Sequence, residues 1–281
     1  MTPVVVVGNA VLDVCVEVDV TELPVGRQVP TAVTFRAGGG LSNVGLDLAE
    51  LGVEVRAVGV VGDDRPGHML GDMLPWQLVR CTGHTTEVSV IATRGDRTIM
   101  NQQGSASASL DQATSLVPDG VQLVMAYLNC SAVASSDTVA FVQAVRERTI
   151  GIVAGINGVF SQERRMAVLE ALPYIDLLVL NDIEARWLTG LETLEDVLSD
   201  LEQRVAAAMV TCGAKGAVYV ERTFRKLFGA EPVAAPRSLG AGDALLAGVT
   251  RGLAAGKDRI AACADGCEVA AAWVRGEFGY R

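Results

Sequence analysis

Apolar, β-branched runs recur along the chain at residues 3–8, 55–61, 121–128, 150–154, 176–180, 206–211 and 216–220. Between many of them the apolar positions change to a helical spacing. Val44, Leu48 and Leu51 stand at i, i+4 and i+7 within 42–51, and Met166, Leu169 and Leu172 share a face within 161–172. Residues 137–148 and 193–205 read the same way. Unbroken apolar strands need cover on both faces, and alternating helices supply it. The pattern predicts an α/β fold with three α/β/α layers around a mostly parallel central sheet. Two stretches depart from this rhythm. Residues 11–36 alternate through Val14, Val16, Val18 and Val20, and residues 85–101 alternate through Val88, Val90 and Ile99 around a Gly95-Asp96 turn. Alternation marks strands with one wet face, so these segments are predicted to form a small antiparallel β lid at about 13–36 and 85–104. No repeat or long linker divides residues 1–281, which read as a single domain.

Composition narrows the partners. Half of the 281 residues are apolar and 20% are charged. At this length about 75% of the unfolded surface can be buried, so the core needs no disulfide or metal staple. The net charge of −10 lacks the cationic footprint of a nucleic-acid binder, although local dipoles still allow a small anionic ligand. No apolar run reaches the roughly 18 residues of a membrane span. Met1-Thr2-Pro3-Val4 places no cationic segment ahead of the first apolar run, so a cytosolic protein is expected. None of the six cysteines forms C-x-x-C, and only His68 and His84 accompany them, which favours reduced thiols over a zinc site.

Candidate chemistry concentrates in Gly240-Ala241-Gly242-Asp243. Leu245, Val249 and Leu253 behind it share one helical face, so a helix should begin near Asp243. Small residues ahead of a helix leave its first N–H groups uncovered, and those groups and the dipole attract anions. A carboxylate there can accept a proton from a hydroxyl, and a hydroxyl nucleophile with an anion cradle is what phosphoryl transfer requires. The alternative is a glycine turn with Asp243 as an ordinary helix-start residue. Gly38-Gly39-Gly40, before Leu41-Ser42-Asn43, allows either close approach of a ligand or a plain capped loop. Asn181-Asp182-Ile183-Glu184 follows the strand ending at Leu180 and suits either a hydrated Mg²⁺ or an acidic helix start. Thr211-Cys212-Gly213-Ala214-Lys215-Gly216 borders a nucleotide or is only a hairpin. The chain has no G-x-x-x-x-G-K-[ST], and Gly8-Asn9-Ala10-Val11-Leu12 is not a dinucleotide fingerprint.

Taken in order, Gly8…Asp13, Gly38-Gly39…Asn43, Gly59-x-x-Gly62-Asp63-Asp64-x-x-Gly67, Asn181-x-x-Glu184, Thr211-x-Gly213-x-x-Gly216 and Gly240-Ala241-Gly242-Asp243 resemble the ribokinase family, the phosphofructokinase-B type of carbohydrate kinase. The likeness runs from about residue 3 to about residue 275. It implies a ribokinase-like fold and an ATP- and Mg²⁺-dependent kinase acting on a sugar, sugar derivative or nucleoside. By that resemblance Asp243 is the general base, and Gly240, Ala241 and Gly242 form the anion hole. Asp13, Gly38, Gly39 and Asn43 hold the acceptor. Asn181, Thr211, Gly213 and Gly216 border the nucleotide, the helix around Ala264 and Cys267 lies near adenine, and Glu184 positions Mg²⁺ through water. The lid covers the acceptor and, in this family, often pairs two subunits, so a homodimer through the lid strands is expected.

The chain also departs from the family pattern. Where an Asp-Thr pair usually precedes Gly-Ala-Gly-Asp and contributes to a monovalent-cation site, this sequence has Arg237, Ser238 and Leu239. An arginine repels K⁺, so weak or absent K⁺ activation is expected. Ala154-Gly155-Ile156-Asn157 replaces a common Asp-Pro-Asn, and the chain stops soon after Trp273. Gly40 stands where ribokinase tends to carry Lys, which disfavours ribose. Arg97 and Asn101, on the returning lid segment, can read acceptor hydroxyls or an anionic group; for Arg97 the alternative is a solvated strand residue. A pseudo-kinase that keeps the pocket as a ligand sensor is the competing reading.

Overall fold

The computed structural model describes residues 1–17, 26, 31–94, 96–128, 130–158, 162–230, 233 and 239–279, with backbone alone at 93, 94, 96 and 97. In chain order the elements are β1 (Val4–Val7), β2 (Val11–Glu17), β3 (Val33–Gly38), α1 (Gly39–Glu50), β4 (Val55–Val58), β5 (Val60–Gly62), α2 (Arg65–Met73), β6 (Val79–Cys81), β7 (Glu87–Arg94), β8 (Asp96–Gln102), α3 (Leu110–Ser115) and β9 (Gln122–Met125). They continue with α4 (Thr138–Arg146), β10 (Gly151–Gly155), α5 (Gln162–Ala171), β11 (Leu177–Asn181), α6 (Asp182–Thr189), α7 (Leu194–Arg204), β12 (Ala208–Thr211), β13 (Ala217–Glu221), β14 (Phe224–Phe228), α8 (Ala241–Ala254) and α9 (Arg259–Arg275).

The main sheet has the order β14-β13-β12-β11-β10-β9-β1-β4. All its pairings are parallel except β12–β13 and β13–β14. Successive residues of each strand feed opposite layers, as the pleat requires. Val5, Val7, Leu123, Met125, Ile152, Ala154, Leu178 and Leu180 join a core closed by α4, α5, α6 and α7. Val4, Val6, Val124, Val153, Leu177, Val179 and Met209 join a second core closed by α1, α8 and α9. Each such Val or Leu side chain contributes about 1.5–3 kcal/mol when fully buried. Among the described residues no helix is long and apolar enough to cross a membrane.

The described parts of the two alternating excursions form a second sheet of order β3-β2-β7-β8; Val18, Val20 and Gly95 lie outside the described residues. β2–β3 and β7–β8 pair antiparallel, as the alternation predicts, whereas β2 and β7 run parallel. Both outgoing strands leave the body at one edge, Val11 opposite Glu87, so they start side by side and point the same way. Their returning partners leave Phe35, Ile99 and Met100 exposed.

Candidate active site

Open α/β sheets bind ligands in the crevice beyond the carboxyl ends of their strands. Here the polar residue two places past each of three strand ends projects into that crevice. β1 ends at Val7, β9 at Met125 and β10 at Gly155, and Asn9, Tyr127 and Asn157 follow. These residues line a cavity of about 250 Å³ together with Asp13, Arg36, Gly39, Asn43, Glu87, Ser89, Asn101, Gly240 and Asp243. Val11, Ile91, Ile99, Leu239 and Trp273 supply its apolar walls. A smaller void of about 30 Å³ adjoins it and reaches Ser131 and Arg164. The cavity is small and dense in polar groups, which suits a compact ligand bearing many hydroxyls.

Asp243 sits at the cavity wall, 9% exposed. The Tyr127 hydroxyl donates to its Oδ1 at 2.7 Å, and Asn43 Nδ2 donates to its Oδ2 at 2.8 Å. Helix α8 begins at Ala241, two residues earlier than the sequence suggests, because Gly240 takes the N-cap position with φ of 87°. A side chain at Gly240 would sit 2.7 Å from the Trp273 ring, whose Nε1 donates to the Leu239 carbonyl at 2.8 Å. A Cβ at Gly242 would meet nothing within 4 Å among the described residues, so they leave the first turn open. The start of α8 therefore has both the N–H donors and the room to receive an anion.

The three glycines of the other turn have separate physical reasons. Side chains at Gly38 and Gly39 would collide with the Asp13 carboxylate and the Asn9 carbonyl, and Gly39 has φ of 81°. A Cβ at Gly40 would lie 2.7 Å from the Tyr127 ring. Protein atoms fill the space a side chain would need at these glycines, while Gly39 also lines the cavity. Asp13, 8% exposed, faces Arg36 across the β2–β3 pair at 3.4 Å. Glu87 accepts from Asn9 Nδ2 at 3.1 Å and from Asn101 Nδ2 at 2.7 Å.

Asn181 and Thr211 are register partners at adjacent strand ends. Asn181 Oδ1 accepts from the Glu184 N–H at 2.8 Å, while Glu184 Oε2 accepts from the Asn181 N–H at 2.9 Å, a capping box on α6. Glu184 Oε1 also accepts from the Gly158 N–H. Burial pushes the Glu184 carboxyl above its ordinary range, backbone N–H groups hold it back, and the nearby Asp243 charge adds to the rise. Two partly desolvated carboxylates favour a cation beside them. Among the described residues no cluster of three or more His, Cys, Asp or Glu forms a chelating site. A single carboxylate fits a hydrated Mg²⁺, which keeps several waters.

The turn from Thr211 to Gly216 is a hairpin between β12 and β13; Gly216 has no room for a side chain beside the Phe228 carbonyl, whereas Gly213 opens onto free space. Ala264 and Cys267 are half-buried on α9 outside the cavity lining, and burial pushes the Cys267 thiol up to about 11. The Arg97 side chain, Arg237 and Ser238 lie outside the described residues.

The cavity thus brings together Asp13, Gly39, Asn43, Asn101, Gly240 and Asp243 from the sequence reading, and leaves Gly38 beneath Asp13. Asn9, Arg36, Glu87, Tyr127 and the wall role of Trp273 escape that reading. Their one sequence signal is a polar residue two places past an apolar strand, which holds for Asn9 and Tyr127.

Comparison with known proteins bears on this site. The sequence model described as pfkB family carbohydrate kinase matches residues 1–278. The fructokinase of Klebsiella pneumoniae is 28% identical over 237 residues, spanning 78% of this chain and 77% of its own. Fructokinase-1 of Oryza sativa subsp. japonica is 25% identical over 234 residues, spanning 76% of this chain and 72% of its own. The solved structure of a mutant phosphofructokinase-2 from Escherichia coli shares the fold, with a TM-score of 0.82, 18% identity, and coverage of 99% of this chain and 95% of that one.

Proposed function

The chain belongs to the pfkB family of carbohydrate kinases, and on that premise we propose that it transfers the γ-phosphoryl group of ATP to a hydroxymethyl group of a small neutral sugar. One observation carries this reading: the Asp243 carboxylate borders a polar cavity and, in the first turn of α8, adjoins an open helix start. Asp243 takes the proton of the acceptor hydroxyl, and the N–H groups of the Gly240-Ala241-Gly242 turn receive the transferring phosphoryl group. Asp13, Asn43 and Asn101 hold the remaining hydroxyls, with Gly38 and Gly39 shaping their support. Asn181, Thr211, Gly213 and Gly216 border the nucleotide, and Ala264 and Cys267 lie toward its base. Glu184 would hold a hydrated Mg²⁺, which would supply neutralisation of phosphate charge. Three carboxylates line the cavity, Asp13, Glu87 and Asp243, against one described arginine, Arg36, itself paired with Asp13. That balance disfavours a phosphorylated acceptor, and the fructokinase relatives put a ketohexose first among neutral ones.

ADP release measured against neutral hexoses, sugar phosphates and nucleosides tests the reading. Turnover with a neutral sugar is expected. Binding across the panel without turnover would overturn the proposal in favour of a ligand sensor. The placement of Asp13 is tested by Gly38→Ala, whose methyl group must displace the Asp13 carboxylate. Its acceptor KM should rise about tenfold, the effect of losing roughly one charge-assisted hydrogen bond, with the KM for ATP unchanged. An unaltered acceptor KM would remove Asp13 from the acceptor site.

A further inference from the structure

Tyr127 and Asn43 both donate to the Asp243 carboxylate, and the tyrosine reaches it from a part of the chain with no motif. Tyr127 stands just past β9, its hydroxyl 2.7 Å from Asp243 Oδ1. Its backbone is fixed there: the carbonyl accepts from the Cys130 N–H at 3.0 Å, and the next residue, Leu128, donates to the Gly155 carbonyl at 2.7 Å. The ring lies against the first turn of α1, where a Cβ at Gly40 would come within 2.7 Å of Cε2 and 2.8 Å of Cδ2, and within 2.9 Å of the neighbouring Ala126 Cβ. Gly40 is itself anchored, its N–H donating to Asn9 Oδ1 at 3.2 Å. Any side chain at position 40 would push the ring out of its slot and draw the hydroxyl away from Asp243.

We infer that Tyr127 is a positioning residue for the proton acceptor Asp243 and that Gly40 is glycine because the Tyr127 ring needs its space. The inference rests on the reading of Asp243 as the base. A base works only if a lone pair points at the hydroxyl it must deprotonate. Each carboxylate oxygen has two acceptor sites, so Tyr127 and Asn43 can each occupy one and leave another for the substrate. A phenol aimed at one oxygen fixes the plane of the carboxylate before substrate arrives. Among the described residues, the other charged groups facing this region are Asp13 with Arg36 from the lid, Glu87 at the start of β7, Glu184 on α6, and Arg164 across the adjoining void.

The test is steady-state kinetics of Tyr127→Phe in the full chain with ATP and its preferred sugar. The kcat should fall about ten- to a hundredfold, the range for one hydrogen bond to a charged group, with the KM for ATP unchanged. The acid limb of the pH–kcat/KM profile should move to higher pH, because the carboxylate loses a donor that favours its charged form. A purely structural role would lower the melting temperature and leave that limb in place. Wild-type kcat with an unmoved limb overturns the inference. For the slot, Gly40→Ala should reduce kcat more in the wild-type background than in Tyr127→Ala, where only the contact with Ala126 Cβ at 2.9 Å remains. Equal losses in both backgrounds overturn that half. Asp243→Asn separates the two readings. Wild-type turnover in that variant sinks the base itself, whereas a dead Asp243→Asn beside an unimpaired Tyr127→Phe sinks only the role of the tyrosine.

Discussion

Replacing Asp243 with asparagine should lower kcat by about 10²–10⁴, the loss expected when a general base is removed. The geometry sets what else changes. Asparagine can turn its oxygen to accept from Asn43 Nδ2 and its NH₂ to donate to the Tyr127 hydroxyl oxygen, so both contacts can persist without the basic oxygen. The loss therefore reports the missing basicity rather than a displaced side chain. The start of α8 is untouched because Gly240 caps it and Asp243 does not. The KM for ATP should accordingly stay close to wild type. Initial-rate measurements with saturating sugar and varied ATP decide the matter, and wild-type turnover in the purified variant would rule out the role.

Trp273→Ala should cost about 3–5 kcal/mol of stability, the usual penalty for deleting a large buried aromatic side chain. Trp273 is 2% exposed and makes an edge contact with Phe278 at 6.2 Å. The loss should lower the melting temperature by about 5–15 °C for a domain of this size. It also strikes the site, since the ring abuts Gly240 and its N–H satisfies the Leu239 carbonyl. With the ring gone, the left-handed turn before α8 loses its backing, and kcat should fall alongside stability. Trp273→Phe retains most of the packing but lacks the N–H donor. A variant Trp273→Ala that melts with the wild type at the same scan rate would show that the wall is dispensable.

The layers of the fold are legible in the sequence because its strands are apolar on both faces and its helices keep a regular stripe. The runs at 150–154 and 176–180 return as β10 and β11 within a residue at each end. The parallel centre of the lid is not legible. Each excursion alternates correctly, but nothing in either segment says that Val11 will face Glu87. Within the proposed site, Gly240-Ala241-Gly242-Asp243 declares itself because the four residues are consecutive and open a helix. Tyr127, Asn9 and Glu87 do not, since a lone polar residue after a strand looks like any turn. Only the order β10-β9-β1 sets positions 157, 127 and 9 next to one another. The glycines at 38–40 are visible as a demand for space, yet the space belongs to Asp13, Asn9 and Tyr127.

Asn9 sets a limit on engineering. Its carbonyl accepts from the Leu41 N–H and its Oδ1 from the Gly40 N–H, while its Nδ2 donates to Glu87 in the lid. One short side chain rivets the central sheet, the first turn of α1 and a lid strand to each other. The cover is consequently not a modular cassette. A chimera that grafts a relative's β7–β8 ribbon to redirect sugar preference must import a compatible residue at position 9, or it will unseat the scaffold it was meant to decorate.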